Sequence, residues 1–401
     1  MESFRTDLLL IALIAMLAPL LAELPKSFRM PIVVAEIVMG IIAGPQVLHL
    51  AEPSLVVDAL ARLGLTFLIF QVGMEIDLGK IGMRPLAIGA LGWALSFGVA
   101  ILCVLLFQAM GLIPLPLLLA AAALTTTALG ILVPILRDSG EIDTEFGKYV
   151  VASGAFGELG PMFLLSFLAI PDDSNILHTL FVLSFVAITL VTAYLAIRVR
   201  SSKVIDRLAR SMQRSGQFPV RICIALQALL ILLAGKFGLD IVMGALASGM
   251  VVGLASKGPG GEALRSKLDA IGYGFLVPIF FVTAGIRFDL DALWASPLAP
   301  LQVVILLGLL ILVRSVPLWV YRRSLAPADA IPFMLYSATG LPLIVVITEI
   351  ALSSDLMSPE RAAVLVSAGM ISVLAFPILA DRLRIKLGLP ASGAEVPMHE
   401  K

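Results

Sequence analysis

One carboxylate interrupts a stretch of chain that should otherwise be hydrocarbon. Glu158 lies in GAFGELGPM, near the middle of an apolar span, with Gly154, Ala155, Gly157 and Gly160 around it. An ionisable side chain at membrane depth is costly enough to mark a functional site by default. A lone carboxylate there can reversibly hold a proton or a cation, and the small residues beside it let another segment close upon it. Just upstream, AAAALTTTALGILVP places Thr125, Thr126 and Thr127 ahead of Gly130 and Pro134, the composition of a span that breaks. Ser337-Ala338-Thr339-Gly340-Leu341-Pro342 has the same character. Unwound backbone at that depth is tolerated only where it is buried in protein or lines a wet cavity. There, freed carbonyls and half-helix ends offer partial charges to an ion. Glu158, Thr125, Thr126, Thr127, Ser153 and Thr339 are therefore the candidate ion- and proton-binding residues. Arg314, in GLLILVRSVPLWV, is the base placed well inside a span. Its guanidinium stays charged and needs a counter-anion, for which Glu158 is the expected partner.

Other ionisable groups read differently. Glu36 is expected to bond across a helix interface, with a place along the ion pathway as the alternative, Glu75 and Asp77 to sit at a helix end, and Glu349 near another. His49, His178 and His399 have no metal-ligand spacing, and Cys103 and Cys223 both fall inside apolar spans. No nucleophile elbow or phosphate loop occurs, so neither an enzyme nor a resident cofactor is expected.

The elements that must position these groups follow from composition. Sixty per cent of the residues are hydrophobic, 14% are charged, and the mean hydropathy is +1.05. Globular chains run nearer a quarter charged, so lipid is the expected solvent. The formal net charge is zero, which gives no sign of nucleic-acid binding. Apolar runs near 7–23, 30–45, 55–76, 85–110, 114–136, 145–170, 177–199, 218–236, 239–256, 268–288, 298–321, 328–352 and 360–380 give about thirteen transmembrane helices. The first has no basic flank and reads as a retained span rather than a signal peptide. With the N-terminus outside, the alternate loops gather most of the Lys and Arg on the cytoplasmic side, as the positive-inside rule requires, and the C-terminus is cytoplasmic. The most basic loop, 197–221, spaces Val204, Ile205, Leu208 and Met212 as an amphipathic surface helix would; a plain basic connection fits it equally.

The two halves repeat. VAEIVMGIIAG (34–44) matches VMGALASGMVVG (242–253), pairing Gly40 with Gly249 and Gly44 with Gly253. LGLTFLIFQVGMEIDL (63–78) matches YGFLVPIFFVTAGIRFDL (273–290), pairing Gly73 with Gly285 and Asp77 with Asp289. The Thr-rich segment matches 337–348. An offset of about 210 residues, spanning seven helices, sets the repeats in opposite orientations, the signature of a secondary transporter with a midplane site. The fold class is thus an all-α polytopic membrane protein of two inverted six-helix repeats with crossing broken helices.

MPIVVAEIVMGIIAGPQVL, LGLTFLIFQVGMEIDL, PIFFVTAGIRFDL and the Thr-rich crossover ahead of an acid-bearing span together resemble the monovalent cation:proton antiporters of the sodium/hydrogen exchanger superfamily. The resemblance covers nearly all of residues 1–385 and is nearest to the bacterial branch with potassium-efflux exchangers. It implies a homodimer whose core domain, carrying two crossing broken helices, moves like an elevator against a scaffold. Residues 1–82 and 217–296 would be scaffold, 83–172 and 297–385 core, 173–216 a connecting helix and basic linker, and 386–401 a cytoplasmic tail. The family's ion-binding aspartate falls at Glu158, its preceding polar residue at Gly157, and its intramembrane base at Arg314. The expected function is exchange of Na⁺ or K⁺ for H⁺ across the plasma (bacterial inner) membrane. With one titrating carboxylate it should be electroneutral, Glu158 taking the monovalent cation. Sodium-coupled symport of an organic anion, or a non-transporting sensor or assembly subunit of the same fold, are the alternatives.

Overall fold

The computed structural model of the protein describes residues 2–23, 32–51, 55–75, 82–112, 115–168, 184–185, 187–189, 191–195, 217–237, 239, 241–256, 261–291 and 297–388. Among them there is no strand. Among the described residues seven helices are long and apolar enough to cross a bilayer, and shorter apolar helices accompany them. Large apolar side chains such as Leu102, Leu106, Leu232, Val304 and Leu312 remain exposed on these helices. Helices that are apolar all round place such residues in lipid, so this is a multi-pass membrane protein. The basic segment 203–214, Asp77, His178 and His399 lie outside the described residues.

The chain forms two compact units, Met1–Asp77 with Met162–Phe288, and Leu78–Pro161 with Asp289–Lys401. The first unit contains α1 (Glu2–Glu23), α2 (Ile32–Ala43) and α3 (Leu55–Glu75). To these it adds α8 (Phe218–Lys236), α9 (Ile241–Ala255), α10 (Gly261–Ile271) and α11 (Val277–Ile286). A π-helical turn, Gly272–Leu276, joins α10 to α11. Two glycine-lined crossings hold the unit together. A Cβ on Gly40 would lie 2.3 Å from the Val282 carbonyl oxygen and 3.0 Å from the Gly285 Cα, so α2 and α11 touch backbone to backbone. A Cβ on Gly249 would lie 2.0 Å from the Phe70 carbonyl oxygen and 3.0 Å from the Gly73 Cα, bringing α9 equally close to α3. Small residues permit this approach where no hydrophobic effect drives helices together. Glu36 is buried on α2, and Glu75 closes α3.

The second unit contains α4 (Met83–Ala109), α5 (Leu117–Leu124), α6 (Leu129–Asp138) and most of α7 (Glu145–Leu168). Its later half contributes α12 (Ala299–Ser315), α13 (Leu318–Tyr321), α14 (Ala330–Ser337), α15 (Pro342–Ser353) and α16 (Pro359–Lys386). The expected span 114–136 is broken between α5 and α6, and 328–352 between α14 and α15. The reasons are local. Thr125 turns its hydroxyl onto the Ala121 and Ala122 carbonyls at 2.9 and 3.0 Å, and Thr126 onto Ala123 at 2.9 Å. Their amides meanwhile bond back only three residues, tightening the last turn and ending α5. In the second break Leu341 leaves helical geometry (φ −130°, ψ −53°), and Pro342 restarts the chain at the first position of α15, where its missing N–H costs nothing.

Candidate ion site at two broken helices

The unwound segments of the second unit lie side by side. The Ala128 amide donates to the Thr339 carbonyl at 2.7 Å, and the Thr127 hydroxyl donates to the Ser337 carbonyl at 2.7 Å. Gly340 must be a glycine, because a Cβ there would sit 2.4 Å from Thr126 Oγ1. Its amide donates in turn to Ser372 Oγ on α16 at 3.2 Å. Each break thus satisfies part of the other's freed backbone, the condition for unwound chain at membrane depth.

Glu158 enters from α7. The Leu129 amide, first of α6, donates to Glu158 Oε1 at 2.9 Å, so the carboxylate caps the positive end of a ten-residue half-helix. Glu158 is 4% exposed. One residue before it, the Gly157 carbonyl accepts the Thr127 amide at 3.3 Å. A Cβ on Gly157 would lie 2.4 Å from Thr127 Oγ1 and 3.1 Å from Arg314 Nη2. The space a side chain would take is filled by the threonine and the guanidinium.

Arg314 is buried in the last turn of α12. Its Nη2 donates to the Thr125 carbonyl and, at 2.8 Å, to Thr127 Oγ1. The expectation of a direct pair with Glu158 becomes a more specific geometry. The guanidinium is anchored on the crossover backbone, and Thr127, hydrogen-bonded to Arg314 and to the second break, joins it to the acid-bearing helix. Ser153 Oγ stands 3.3 Å from Ser337 Oγ. The hydroxyl protons of Thr125, Thr126 and Thr339 serve their own helices, Thr339 donating to Leu335 at 3.0 Å. They offer the site lone pairs rather than donors. Ser337, Ser372 and Tyr321 were not among the sequence candidates. Tyr321 is wholly buried, 4.4 Å from Phe333 between ring centroids, and its hydroxyl would be 2.5 Å from a Cβ on Gly92. The repeat offset of about 210 residues could have flagged Ser337, which lies that far from Thr127; nothing in WVYRR distinguishes Tyr321.

Among the described residues no group of three or more His, Cys, Asp or Glu side chains could hold a metal. One carboxylate, hydroxyl lone pairs and backbone carbonyls instead make a weak, oxygen-only environment. That donor set suits a hard, exchangeable ion better than a tightly held metal.

Comparison with known proteins places the chain. It is 27% identical over 400 residues to the putative Na(+)/H(+) antiporter YjbQ of Bacillus subtilis (strain 168), covering 94% of this chain and 62% of that protein. It therefore spans about three fifths of that relative's length. It is 28% identical over 332 residues to cation/H(+) antiporter 19 of Arabidopsis thaliana, covering 75% of this chain and 40% of that one. It is 25% identical over 297 residues to the probable Na(+)/H(+) antiporter GerT of Bacillus cereus, covering 71% and 74%. The solved structure of the sodium proton antiporter MjNhaP1 from Methanocaldococcus jannaschii superposes with a TM-score of 0.62 at 14% identity, over 96% of this chain and 97% of that one, and so shares its fold. The profile described as "Sodium/hydrogen exchanger, transmembrane" matches residues 11–381, and the chain belongs to that family.

Proposed function

We propose that the protein exchanges a monovalent cation, Na⁺ or K⁺, for H⁺, with Glu158 as the group that carries either. The observation that carries this is the Glu158 carboxylate on the N-terminal amide of α6, beside two mutually bonded breaks. A carboxyl oxygen that has taken a proton cannot bind a cation, so competition for one group couples the two fluxes. Arg314 holds a fixed charge that never leaves as a proton. One titrating carboxylate then moves one proton per cation, and the cycle is electroneutral. The names of the relatives, all cation/H(+) or Na(+)/H(+) antiporters, support the same activity.

Alternating access is assigned to an elevator-type motion of the second unit, with the first unit as dimerisation scaffold of a homodimer in the plasma membrane. The N-terminus lies outside and the C-terminus in the cytoplasm. Two reciprocal contacts support inverted repeats: Gly40 with Gly285, and its sequence-matched counterpart Gly249 with Gly73. The test is reconstitution of the full chain in proteoliposomes, with cation gradients read by a pH dye. Glu158→Gln should abolish cation-driven proton flux; full flux in that variant would overturn the assignment. A wild-type rate that follows an imposed membrane potential would overturn the one-for-one stoichiometry.

A further inference from the structure

The helix that carries Arg314 inward carries a second feature outward. From α12 into α13 the exposed residues form one stripe, with Leu301, Val304, Leu312, Val316, Trp319 and Arg322 at helical spacing. At Gly308, between Val304 and Leu312, an added Cβ would meet nothing within 4 Å, so the stripe is unbroken. It also survives the joint at Pro317, because the step from Val316 to Trp319 keeps the helical interval. The stripe is apolar for about four turns and then changes character. Trp319 is 67% exposed, and Arg322 and Arg323 beyond it are both exposed. The Arg322 guanidinium lies over the indole, 4.7 Å from the ring centroid. The opposite face is interior, with Val303, Leu306 and Leu310 buried beside Arg314 and Tyr321.

An apolar face that no protein covers sits against lipid tails. Its end marks where hydrocarbon gives way to headgroups, the level at which Trp settles, and bases beyond it lie among the headgroups. Here those bases have no protein counter-charge. Among the described residues neither the Arg322 nor the Arg323 guanidinium forms an ion pair or a hydrogen bond. Arg265, Arg287, Arg314 and Arg384 each have a protein acceptor instead. No Asp or Glu occurs over 301–328, and Asp329, the next acid, takes Arg384 Nη1 at 2.8 Å. The indole holds one face of Arg322 and leaves the N–H groups at its edge free to bind. A guanidinium fork matches the paired oxygens of a phosphate, and the indole N–H is a further donor. A zwitterionic headgroup brings its own ammonium, which two bare guanidiniums repel; an anionic headgroup does not.

We propose that Trp319, Arg322 and Arg323 form a binding site for the phosphodiester headgroup of an anionic membrane lipid. One short piece of chain ties this site to Arg314. Arg322 follows Tyr321 directly, and Tyr321 is wedged inward, with its ring 4.4 Å from Phe333 and its hydroxyl where a Cβ on Gly92 would be only 2.5 Å away. Arg314 lies eight residues before Arg322, about 12 Å along the axis. The joint between them is the weak point, because Pro317 has no N–H to return to the preceding turn. A headgroup on Arg322 and Arg323 holds α13 from outside while the Gly92 notch holds it from inside. The last turn of α12 then keeps Arg314 on the Thr125 carbonyl and Thr127 Oγ1. Occupancy therefore raises the rate of exchange.

The effect on rate rests on the antiport reading, whereas the lipid site has a readout of its own. The full chain is placed in two bilayers of equal parts phosphatidylcholine and phosphatidylglycerol. One carries brominated acyl chains on the phosphatidylglycerol, the other on the phosphatidylcholine. The Trp319 signal is the fluorescence difference between wild type and Trp319→Phe. Brominated phosphatidylglycerol should quench it more, and this preference should fall by roughly fivefold for each arginine removed in Arg322→Gln and in the double variant with Arg323→Gln. Equal quenching in the two bilayers, or none, would overturn the site. So would an equal fall in Lys386→Gln, which removes an exposed base of the same unit outside the stripe. Glycerol phosphate in the buffer should leave the preference intact; its abolition would assign the site to a soluble phosphate and overturn the lipid. In proteoliposomes, wild-type exchange should rise with the phosphatidylglycerol fraction while the double variant stays flat, and a parallel rise in both would overturn the link to Arg314. A headgroup preference at Trp319 without any cation-driven flux would support the lipid site and overturn antiport instead; flux with equal quenching would do the reverse.

Discussion

Gly157→Ala is the smallest change that tests whether the crossover is seated by the absence of a side chain. The added Cβ would lie 2.4 Å from Thr127 Oγ1 and 2.7 Å from Thr127 Cβ, where real contacts stay beyond 3.0 Å. Thr127 must then retreat by at least about 0.6 Å (3.0 − 2.4), or α7 must move away. Thr127 cannot retreat freely, because its Oγ1 donates to Ser337 at 2.7 Å and accepts from Arg314 at 2.8 Å, and a shift of α7 would draw Glu158 off the Leu129 amide. A shift of that size pushes both bonds past the range in which they are strong. Overpacking costs about 1–3 kcal/mol and a weakened hydrogen bond to a charged group about 1.5–3. The sum, about 2.5–6 kcal/mol, should appear as a clear loss of thermal stability in detergent. Misplacing reacting groups by about an ångström costs up to about a hundredfold in rate, so exchange should fall by one to two orders of magnitude. The control is Gly98→Ala in α4, where an added Cβ meets nothing within 4 Å. It should gain up to about 1 kcal/mol from helix propensity. If Gly157→Ala matched that control in both melting temperature and exchange rate, the packing described at Gly157 would be refuted.

Two further substitutions probe the frame and the reach of the acid. Gly249→Ala sets a Cβ 2.0 Å from the Phe70 carbonyl oxygen, a backbone atom that cannot swing aside; it should destabilise the first unit by about 3 kcal/mol or more, read as a lowered melting temperature. Glu158→Asp withdraws the carboxylate by one C–C bond, about 1.5 Å, from an amide now at 2.9 Å. It should raise the cation concentration for half-maximal exchange more than it lowers the maximal rate, and an unchanged concentration dependence would show that the cap to Leu129 plays no part in binding.

The sequence was most legible where single residues forbid the default. A hydroxyl run followed by Gly130, and a Pro342 inside an apolar span, mark breaks because an uninterrupted helix has no use for them; the interruptions fall at 125–128 and 338–341. Small residues at matched positions marked the repeat; that Gly40 meets Gly285 and Gly249 meets Gly73 at helix crossings came only from the structure. Distance was not legible. Charge balance alone directed Arg314 to Glu158, whereas the guanidinium is taken up by a carbonyl and a hydroxyl that only the unwound conformation exposes. Nothing in the sequence around Arg384 or Glu141, which form a buried ion pair, singles either residue out. Their burial depends on α16 running to Lys386, beyond the apolar run that suggested an end near 380, and hydropathy cannot see a charge buried among charges.

Glycine at 157 and glutamate at 158 stand where the family resemblance implies a polar residue followed by aspartate, and the geometry makes the two departures one arrangement. A polar side chain at 157 would have to occupy the space now held by Thr127 Oγ1 and Arg314 Nη2. With glycine there, the polar group beside the acid comes from the crossover, already bonded to a fixed positive charge. The Thr127 amide can then also reach the Gly157 carbonyl at 3.3 Å, pinning the break to α7 one residue before the acid. From that seat the carboxylate must span to the first amide of α6, and the extra methylene of glutamate supplies the reach to 2.9 Å. Substituting either position alone towards the family pattern therefore breaks a contact that the other position depends on. The pair is coupled through Thr127, as residues sharing one hydrogen-bond network are.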